Sequence, residues 1–419
     1  MQEEKGEFLI SNRVCDYAEL VSSEAQVGST FYLFDLDAIK SKIISCFNAF
    51  SSDFDKITVA YSYKTNNLRA ITQLARQLGC CAEVVSGAEL EMALEDGFLG
   101  SHIFFDGPVK TEAELSLALS NEVNIQVDSL VELSSIILLY KKIQVKPKVC
   151  FRVSVGYENR MSRFGFSSDD FLDGLRILRE SGLTLSGIHF HAGSNINDPK
   201  KYIYALSLLI DKLRDLSGLA PPNEPLILDI GGGFPAESFD STEKVKSISE
   251  FSGEICRFMK DNSINLDKIE LVIEPGRFFV EDNGFLVTRI SSIKTCENKN
   301  IAVLEAGTNL VRSIKSWYHP IKIIQSNNTV SNDIIDIYGS NCFEKDIFCQ
   351  SYKLTSQISV GDMVIIGSAG GYDIPSCNTW TRPSPAILGI MNGKIRILRK
   401  QGSVRDMRYL CCNIYDGVD

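Results

Sequence analysis

The chain has 419 residues, carries a net charge of −10, and 44% of its residues are apolar. This length is enough for two domains of ordinary size, and the negative charge argues against nucleic acid as the main partner. Its apolar runs fall short of the roughly 18 residues that span a membrane, and the acidic N-terminus lacks the apolar core of a secretory signal. We therefore expect a cytoplasmic protein with neither a nucleic-acid nor a membrane partner.

Cysteine and histidine usage bears on redox state and on metal sites. The 12 cysteines are scattered, without repeated CxxC spacing, and there are four histidines. Without a secretory signal, we expect free thiols rather than a disulfide framework. We also predict no metal site, because adjacent pairs such as Cys80-Cys81 are poorly spaced for tetrahedral zinc.

In chain order, residues 1–29 form a polar N-terminal segment that we expect to be irregular and to pack with a C-terminal β domain. A strand at 30–36 and a helix at 37–49 follow. Beyond them, apolar β-prone runs alternate with amphipathic helical stretches. The eight predicted strands are 57–63, 82–85, 103–105, 124–127, 148–153, 186–191, 226–230 and 270–273. The predicted helices are 68–78, 87–96, 111–119, 130–141, 168–181, 199–216 and 246–262.

Eight strands that alternate with helices are typical of a (β/α)8 TIM-type barrel, and we predict this domain over 30–282. An open doubly wound sheet is the competing α/β fold, but the count of eight units favours the barrel. After residue 282, short β-prone runs separated by Gly, Asn and Asp turns replace the helical pattern. They predict an all-β domain over 283–419. The runs are 284–291, 301–304, 321–325, 333–338, 363–367 and 395–399.

Lys64 lies where the predicted strand 57–63 gives way to a helix. In a parallel α/β protein, this end of a strand is the ligand-binding edge. A lysine there is most often a solvated surface residue, but it can also bind a carbonyl cofactor covalently. The other strand ends decide between these two interpretations.

Three later strand ends carry further candidates, and each has a plain structural explanation. His191 could be a satisfied core histidine, and Gly231-Gly232-Gly233 could be only a tight turn. Glu274 could cap a turn, and Arg277 could be a surface ion-pair partner.

Together, however, these residues match the needs of one ligand. The backbone N–H groups of the three glycines, with Arg277 beside them, can hold a phosphate. His191 can stack on an aromatic ring, and Glu274 can keep a proton on a ring nitrogen. With Lys64 bound to a carbonyl, the set predicts pyridoxal 5′-phosphate as the cofactor.

The motifs also resemble those of the fold-type III pyridoxal-phosphate decarboxylases, the family of diaminopimelate, ornithine and arginine decarboxylases. The likeness runs from about Phe31 to Leu398, and the segments Gly231-Gly-Gly-Phe and Glu274-Pro-Gly276-Arg277 match without change. It implies that Lys64 carries the cofactor, that His191 stacks on the ring and that Ser194 lies on the phosphate side. It also implies that the β domain is a sandwich.

Two elements of the β domain extend the resemblance. Gly339-Ser-Asn-Cys342 implies a cysteine that reaches the partner subunit's active site, and Ala369-Gly-Gly-Tyr372 implies a tyrosine that contacts the cofactor phosphate. The resemblance therefore implies a head-to-tail homodimer with composite active sites. Read on its own, Cys342 would be a buried apolar thiol.

The implied reaction is decarboxylation of an α-amino acid. The cofactor acts as an electron sink, and Glu274 strengthens that sink by keeping the ring nitrogen protonated. A related racemase places an arginine near this nitrogen instead, so Glu274 favours decarboxylation. Cys342 is then the best candidate for returning a proton to the carbanion.

Three departures from the family bear on the substrate. Phe343 stands where an acidic residue usually holds a distal ammonium, although Glu344 and Asp346 follow. The arginine for a distal carboxylate remains as Arg312, but Ser313 replaces a proline and the spacing to Tyr318 differs. The third departure is mild: Glu83 stands where an aspartate is more usual.

These departures predict a small-molecule amino-acid substrate that is derivatised or carboxylate-bearing at its far end, as in siderophore and antibiotic pathways. Diaminopimelate decarboxylation in lysine synthesis is the alternative. A racemase, or a non-catalytic regulatory homologue, is a further alternative, although the retention of Lys64, Glu274 and Cys342 speaks against a silent homologue.

Overall fold

A computed structural model describes residues 10–22, 27–156, 162–219, 224–238, 245–326 and 329–411. These residues divide into two compact units. The described residues up to 39 and from 280 onward, with Ser238, form the β unit, whereas residues 40–237 and 245–279 form the barrel unit. The barrel unit therefore begins ten residues later than the predicted bound at residue 30.

The N-terminal part of the chain explains this difference. Helix α1 (Asn12–Ser22) buries Val14, Ala18 and Val21, whose spacing gives one apolar stripe. Strand β1 (Phe31–Asp35) is buried along its whole length and pairs within the β unit, antiparallel to the strand that begins at Gly284 and parallel to the one that begins at Ala386. The prediction of an irregular segment was therefore wrong for residues 12–22, whereas residues 1–9 and 23–26 lie outside the described part of the chain. The prediction of a barrel domain that includes this strand was also wrong.

Eight parallel strands close into a barrel, in chain order. The last strand returns to the first, with Leu271 opposite Ile57. The strands are β2 (Ile57–Ser62), β3 (Cys81–Val84), β4 (Ile103–Phe105), β5 (Asn124–Val127), β6 (Lys148–Arg152), β7 (Leu185–His189), β8 (Leu226–Asp229) and β9 (Ile269–Ile273). All eight agree with the predicted runs.

Helices follow the barrel strands, and several begin at the residues that helix ends require. Ser86, Ser129 and Ser167 each accept a backbone N–H at the start of a helix, and two capping boxes begin at Thr111 and Ser247. The helices are α2 (Leu36–Ser51), α3 (Arg69–Gln77), α4 (Gly87–Glu95), α5 (Glu112–Ser120), α6 (Leu130–Ile143), α7 (Ser168–Glu180), α8 (Lys200–Leu219) and α9 (Ile248–Asp261).

The β unit contains a nine-stranded sheet to which both ends of the chain contribute. Its other strands are β10 (Gly284–Cys296), β11 (Lys299–Leu304), β12 (Ile321–Ile324), β13 (Ile334–Tyr338), β14 (Ile347–Lys353), β15 (Met363–Ile366), β16 (Ala386–Met391) and β17 (Lys394–Arg399). The main path is β14-β13-β11-β10-β1-β16-β17, and β15 joins β10 to β12. Short helices lie at α10 (Arg277–Val280), α11 (Asp373–Ser376) and α12 (Val404–Cys411).

An apolar core fixes α1 and β1 within the β unit. The cluster comprises Ile10, Val14, Cys15, Ala18, Val21, Val27, Phe31, Leu33, Phe285, Val287, Met363, Ile365, Ala386, Leu388 and Ile390. A barrel with helices and a separate β domain confirms the predicted fold class. Among the helices of the described ranges, none combines the length and the apolar character needed to cross a bilayer.

Candidate active site

All eight barrel strands contribute a polar residue at or next to their carboxyl ends. In a barrel these ends meet at one face, where ligands bind. The eight residues are Lys64, Glu83, Asp106, Gln126, Arg152, His189, Asp229 and Glu274. Most are buried, so their charges act on one another with little solvent screening.

Lys64 lies in the turn after β2, directly beside Glu83 of β3. Its Nζ lies 2.5 and 2.6 Å from the two carboxylate oxygens of Glu83, which also accepts the Ser62 hydroxyl at 2.6 Å. Burial alone would lower the pKa of Lys64, but the negative charges of Glu83, Glu274 and Asp106 raise that pKa above its ordinary value. The amine of Lys64 is therefore held as a cation in the protein without a ligand.

Asp106, Arg152 and His189 form the next part of the network. The Arg152 guanidinium donates to Asp106 Oδ2 at 2.6 Å, while His189 Nδ1 lies 3.7 Å from Asp106 Oδ1. Burial opposes the charge of Asp106, but the neighbouring cations, with Arg152 in contact, lower its pKa below the ordinary value. Burial lowers the pKa of His189 far below its ordinary value, so this imidazole is neutral.

Asp229 and Glu274 form a second buried pair. The Gln126 amide makes a short hydrogen bond to Asp229 Oδ2 and a second bond of 3.3 Å to Glu274 Oε1. The donor atoms of Asp229, Glu274 and His189 lie within 4.8 Å of one another. The prediction that the protein holds no metal ion stays a prediction.

The glycine loop after β8 leaves no space for side chains. A Cβ on Gly232 would lie 2.3 Å from the carbonyl oxygen of Glu274, and a Cβ on Gly233 would lie 2.0 Å from that of Gly193. Gly231 and Gly233 also have φ angles of 69° and 102°, which favour glycine. The Tyr202 hydroxyl donates to the Gly232 carbonyl at 2.7 Å and holds the loop from α8.

The remaining predicted barrel residues surround this loop. His191 is partly exposed, and burial together with Lys64 and Arg152 lowers its pKa to about 4, so its ring is neutral at physiological pH. Gly276 lies so close to Thr65 that a Cβ would come 2.1 Å from the threonine hydroxyl. Arg277 begins α10 and is partly exposed, and Ser194 is exposed.

In the β unit, two candidate residues are tied together by a buried network. Ser313 follows Arg312 in a 3-10 turn, and its N–H and hydroxyl both donate to Asp373, at 3.0 and 2.7–2.8 Å. Asp373 directly follows Tyr372. The exposed Arg312 and the partly exposed Tyr372 are thus held by adjacent residues, and Tyr318 is half-buried nearby in sequence.

Cys342, Phe343 and Glu344 lie on one exposed loop of the same unit. The Phe343 ring, 47% exposed, meets the Trp380 ring edge-on at 5.8 Å. Asp346 is buried instead, and its oxygens accept the N–H of Asn341 and both the N–H and the hydroxyl of Thr308, each at 2.7 Å. Asp346 therefore stabilises this turn, whereas Glu344 is exposed. The burial expected for Cys342 from its residue type alone was wrong.

Sequence reasoning did not assign a site role to six residues of the barrel network. These are Glu83, Asp106, Gln126, Arg152, His189 and Asp229. For Asp106, Arg152, His189 and Asp229, the position at the carboxyl end of an apolar strand was a usable signal. Glu83 and Gln126 lie one residue before the end of a short strand, where this signal is missing. Every cysteine whose side chain is described is a free thiol.

Comparison with known proteins identifies the family. Residues 40–281 match the pyridoxal binding domain of the pyridoxal-dependent decarboxylases. Over 96% of its length, the chain is 28% identical to the diaminopimelate decarboxylase of Methanothermobacter thermautotrophicus, 95% of which is covered. The Helicobacter pylori diaminopimelate decarboxylase, solved with L-lysine, superposes with a TM-score of 0.83 at 25% identity and covers 94% of this chain and 98% of its own.

A more distant structure shares the fold. The lysine/ornithine decarboxylase of Vibrio vulnificus, solved with putrescine, gives a TM-score of 0.77 at 20% identity and covers 92% of this chain and 99% of its own. The family match spans more than half of the chain, from the first barrel helix to the last barrel strand and the turn after it. The chain belongs to the pyridoxal-dependent decarboxylase family and is a carboxy-lyase that uses pyridoxal phosphate to decarboxylate an amino acid.

Proposed function

We propose that the enzyme decarboxylates meso-diaminopimelate. The observation that carries the proposal is the similarity, over nearly the full length of both chains, to enzymes named diaminopimelate decarboxylase. It favours this substrate over the siderophore or antibiotic type predicted from the sequence. The proposal assigns roles to residues in both units.

The barrel residues fit pyridoxal phosphate. The glycine loop packs so closely on neighbouring backbone that no side chain fits, which lets a phosphate approach its main chain, and the neutral ring of His191 offers a flat face to an aromatic ring. Lys64 would supply the amine that binds the cofactor covalently, and Glu274 would hold the ring nitrogen. The residues proposed to hold the cofactor are Lys64, His191, Ser194, Gly231, Gly232, Gly233, Glu274, Gly276, Arg277 and Tyr372.

When bound, pyridoxal phosphate supplies an electron sink for the carbanion that remains after CO2 leaves. The protein controls protons and orientation around it. Glu83 holds the Lys64 amine in place through two oxygens, and Glu274 keeps negative charge beside the ring nitrogen. Cys342 would supply the proton that replaces the departed carboxylate, and the buried position of the barrel network excludes water from these charges.

The far end of diaminopimelate carries a second ammonium and a second carboxylate. Arg312 is exposed and can bind the carboxylate in a bidentate manner, and Tyr318 follows it by six residues in the sequence. Glu344 is exposed and acidic, one residue beyond the position where the family carries its carboxylate, and it pairs with the ammonium in this proposal. Phe343 then packs on the methylene chain between the two ends.

We further propose that the active site is composite and belongs to a homodimer. The resemblance to the family supports the view that the partner subunit's Cys342 serves the barrel of each protomer. The exposure of Cys342 on its loop is consistent with this role, because a thiol that serves a second chain must be accessible.

One observation favours a second candidate, an amino acid whose distal amine is derivatised. Phe343 and Trp380 form an exposed aromatic pair where an acidic residue is expected. Such a pair suits an acyl or citryl group better than a free ammonium, which loses an ion pair there. The assay must therefore distinguish this substrate class from diaminopimelate.

CO2 release distinguishes the candidates. We expect kcat/KM for meso-diaminopimelate to exceed that for lysine, ornithine and their acylated or citryl conjugates by about tenfold or more. Glu344→Gln should raise KM for diaminopimelate by about 10- to 100-fold with little change in kcat. Glu297→Gln, which changes an exposed carboxylate elsewhere in the β unit, is the matched control. Preference for a conjugate, with no effect of Glu344→Gln, would establish the second candidate instead.

A further inference from the structure

Asp229 stands out among the buried barrel residues because both of its oxygens are engaged by parts of the cofactor site. Oδ1 accepts the N–H of Gly231, the first residue of the glycine loop, at 2.8 Å. Oδ2 accepts the Gln126 amide, which also donates to Glu274. Asp229 has no exposed surface, and Glu274 has almost none.

We propose that Asp229 is a positioning residue for pyridoxal phosphate, which shares one proton with Glu274 and releases it when the cofactor binds. Its other oxygen anchors the glycine loop. One buried carboxyl group thereby connects the ring-nitrogen end of the site to its phosphate end.

The pairing follows from the electrostatics of two carboxyl groups in contact. Away from water, two like charges cannot both be tolerated, so one group keeps its proton and the pair titrates as a unit. Burial raises the pKa of Asp229 to about 7, although the Gly231 N–H and a hydrogen bond with the Glu274 carboxyl group oppose this, and Asp106 and Glu83 add to the rise. Burial and the charge of Asp229 raise the pKa of Glu274 well above its ordinary value.

Other ionisable groups also face this pair, and most keep one charge state near neutral pH. They are Lys64, Glu83, Asp106, Cys150, Arg152, His189 and Tyr202. Burial raises the pKa of the Cys150 thiol and of the Tyr202 hydroxyl, so both keep their protons. His189 stays neutral because its pKa is far below the ordinary value, and Lys64 stays positive because its pKa is raised.

Cofactor binding changes the balance at the pair. A protonated ring nitrogen beside Glu274 would favour the state in which both carboxyl groups are ionised. The shared proton then leaves to solvent, and Asp229 and Glu274 are both carboxylates. The free protein therefore holds at least one proton more at this site than the complex does, as long as the pH lies below the raised pKa of Glu274. By linkage, affinity should rise with pH in this range by about tenfold per pH unit for each proton that binding releases.

The test is a titration of the apoenzyme with pyridoxal phosphate between pH 5.5 and 8.5 (about three pH units around the expected transition), followed by visible absorbance. Asp229→Asn keeps an oxygen for the Gly231 N–H but has no carboxyl proton to share. Its affinity should therefore rise less steeply with pH than that of the wild type. The free cofactor also titrates over this pH range, but its titration affects the wild type and the variant equally. The ratio of wild-type affinity to variant affinity therefore reports only on the Asp229–Glu274 pair.

Asp128→Asn is the matched control. Asp128 is also a barely exposed carboxyl group at a barrel strand end, and its Oδ1 accepts the N–H of Gly165 at 2.9 Å, but it lies beside Arg152. This variant should keep the wild-type pH dependence. A wild-type pH dependence in Asp229→Asn would overturn the proposal.

Two further variants keep the proposal testable if Asp229→Asn does not fold. Glu274→Gln removes the other half of the pair and should lose the same pH-dependent component, and its retention would overturn the shared proton. Asp229→Ala also removes the loop anchor, so it should bind at least about tenfold more weakly than Asp229→Asn at every pH. Equal affinities of these two variants would overturn the anchoring role.

Discussion

The two units of this enzyme present their candidate residues in opposite ways. In the barrel, eight polar residues are fixed at strand ends, and most are buried in contact with one another. In the β unit, Cys342, Phe343 and Glu344 lie exposed on a loop, and Arg312 is exposed on a 3-10 turn. The first arrangement suits chemistry that requires fixed charges, whereas the second suits the recognition of a variable substrate end.

This difference has a physical basis. Removing one member of a buried charge network leaves its partners without a counter-charge, at a cost of several kcal/mol. An exposed loop residue such as Phe343 carries no such constraint. We therefore expect barrel substitutions to alter cofactor loading and loop substitutions to alter turnover or substrate choice.

Lys64→Ala should have the largest effect. Without the amine, the protein should lose covalently held cofactor, and decarboxylation should fall by about 10³-fold or more. Borohydride treatment followed by peptide mass analysis measures the covalent cofactor directly. Lys56→Ala, an exposed lysine just before the start of the same strand, should remain loaded. Covalent cofactor in Lys64→Ala would remove the basis for the assigned site.

Cys342→Ala tests the exposed loop of the β unit. Decarboxylation should fall by about 10²- to 10³-fold because the proton donor is gone, whereas cofactor absorbance should match the wild type. Cys296→Ala, another exposed thiol of the β unit, serves as the control. A loss of cofactor in Cys342→Ala, with turnover per bound cofactor unchanged, would show that the two units do not divide their tasks in this way.

Glu83→Gln sharpens the account of the barrel by changing one charge. Lys64 must be uncharged to react with the cofactor carbonyl, and Glu83 contributes to the raised pKa of that lysine. Removing the negative charge should lower the pKa, so the pH profile of cofactor incorporation should move towards lower pH by about one unit. Stopped-flow absorbance of the apoenzyme measures this profile. Glu83→Asp, which restores the residue more usual in the family, should keep the profile near that of the wild type, and coincident profiles for Glu83→Gln and wild type would contradict the charge effect.

The same comparison explains how far the sequence could be interpreted. The barrel strands were predictable because each is an apolar run followed by a helical pattern, and Lys64 and Glu274 follow directly from their positions after such runs. Gln126 could not be predicted as a site residue, because the sequence of a short buried strand does not tell which side chains point into a closed barrel. Asp229 was visible at a strand end, but its contact with Glu274 depends on barrel closure.

Long-range pairing accounts for the errors in the β unit. Strand β1 precedes a helix and so follows the local pattern of a barrel repeat, yet its partners lie some 250 and 350 residues further along the chain. Strands β14 and β16 were not predicted. The exposure of Cys342 also depends on loop conformation, which the residue types of the loop do not determine.

Ser313→Pro should have the smallest effect, on stability. The family carries a proline at this position, so the change looks restorative, but Ser313 donates both its N–H and its hydroxyl to the fully buried Asp373. Proline has neither donor, and the loss of both hydrogen bonds to this buried carboxylate should cost about 1–3 kcal/mol of the free energy of unfolding of the β unit, measured by urea denaturation. Ser313→Ala keeps the N–H and should cost less than proline does. If the proline variant is as stable as the wild type, the network beside Arg312 and Tyr372 does not replace the family's proline, and the arginine must be held by other contacts.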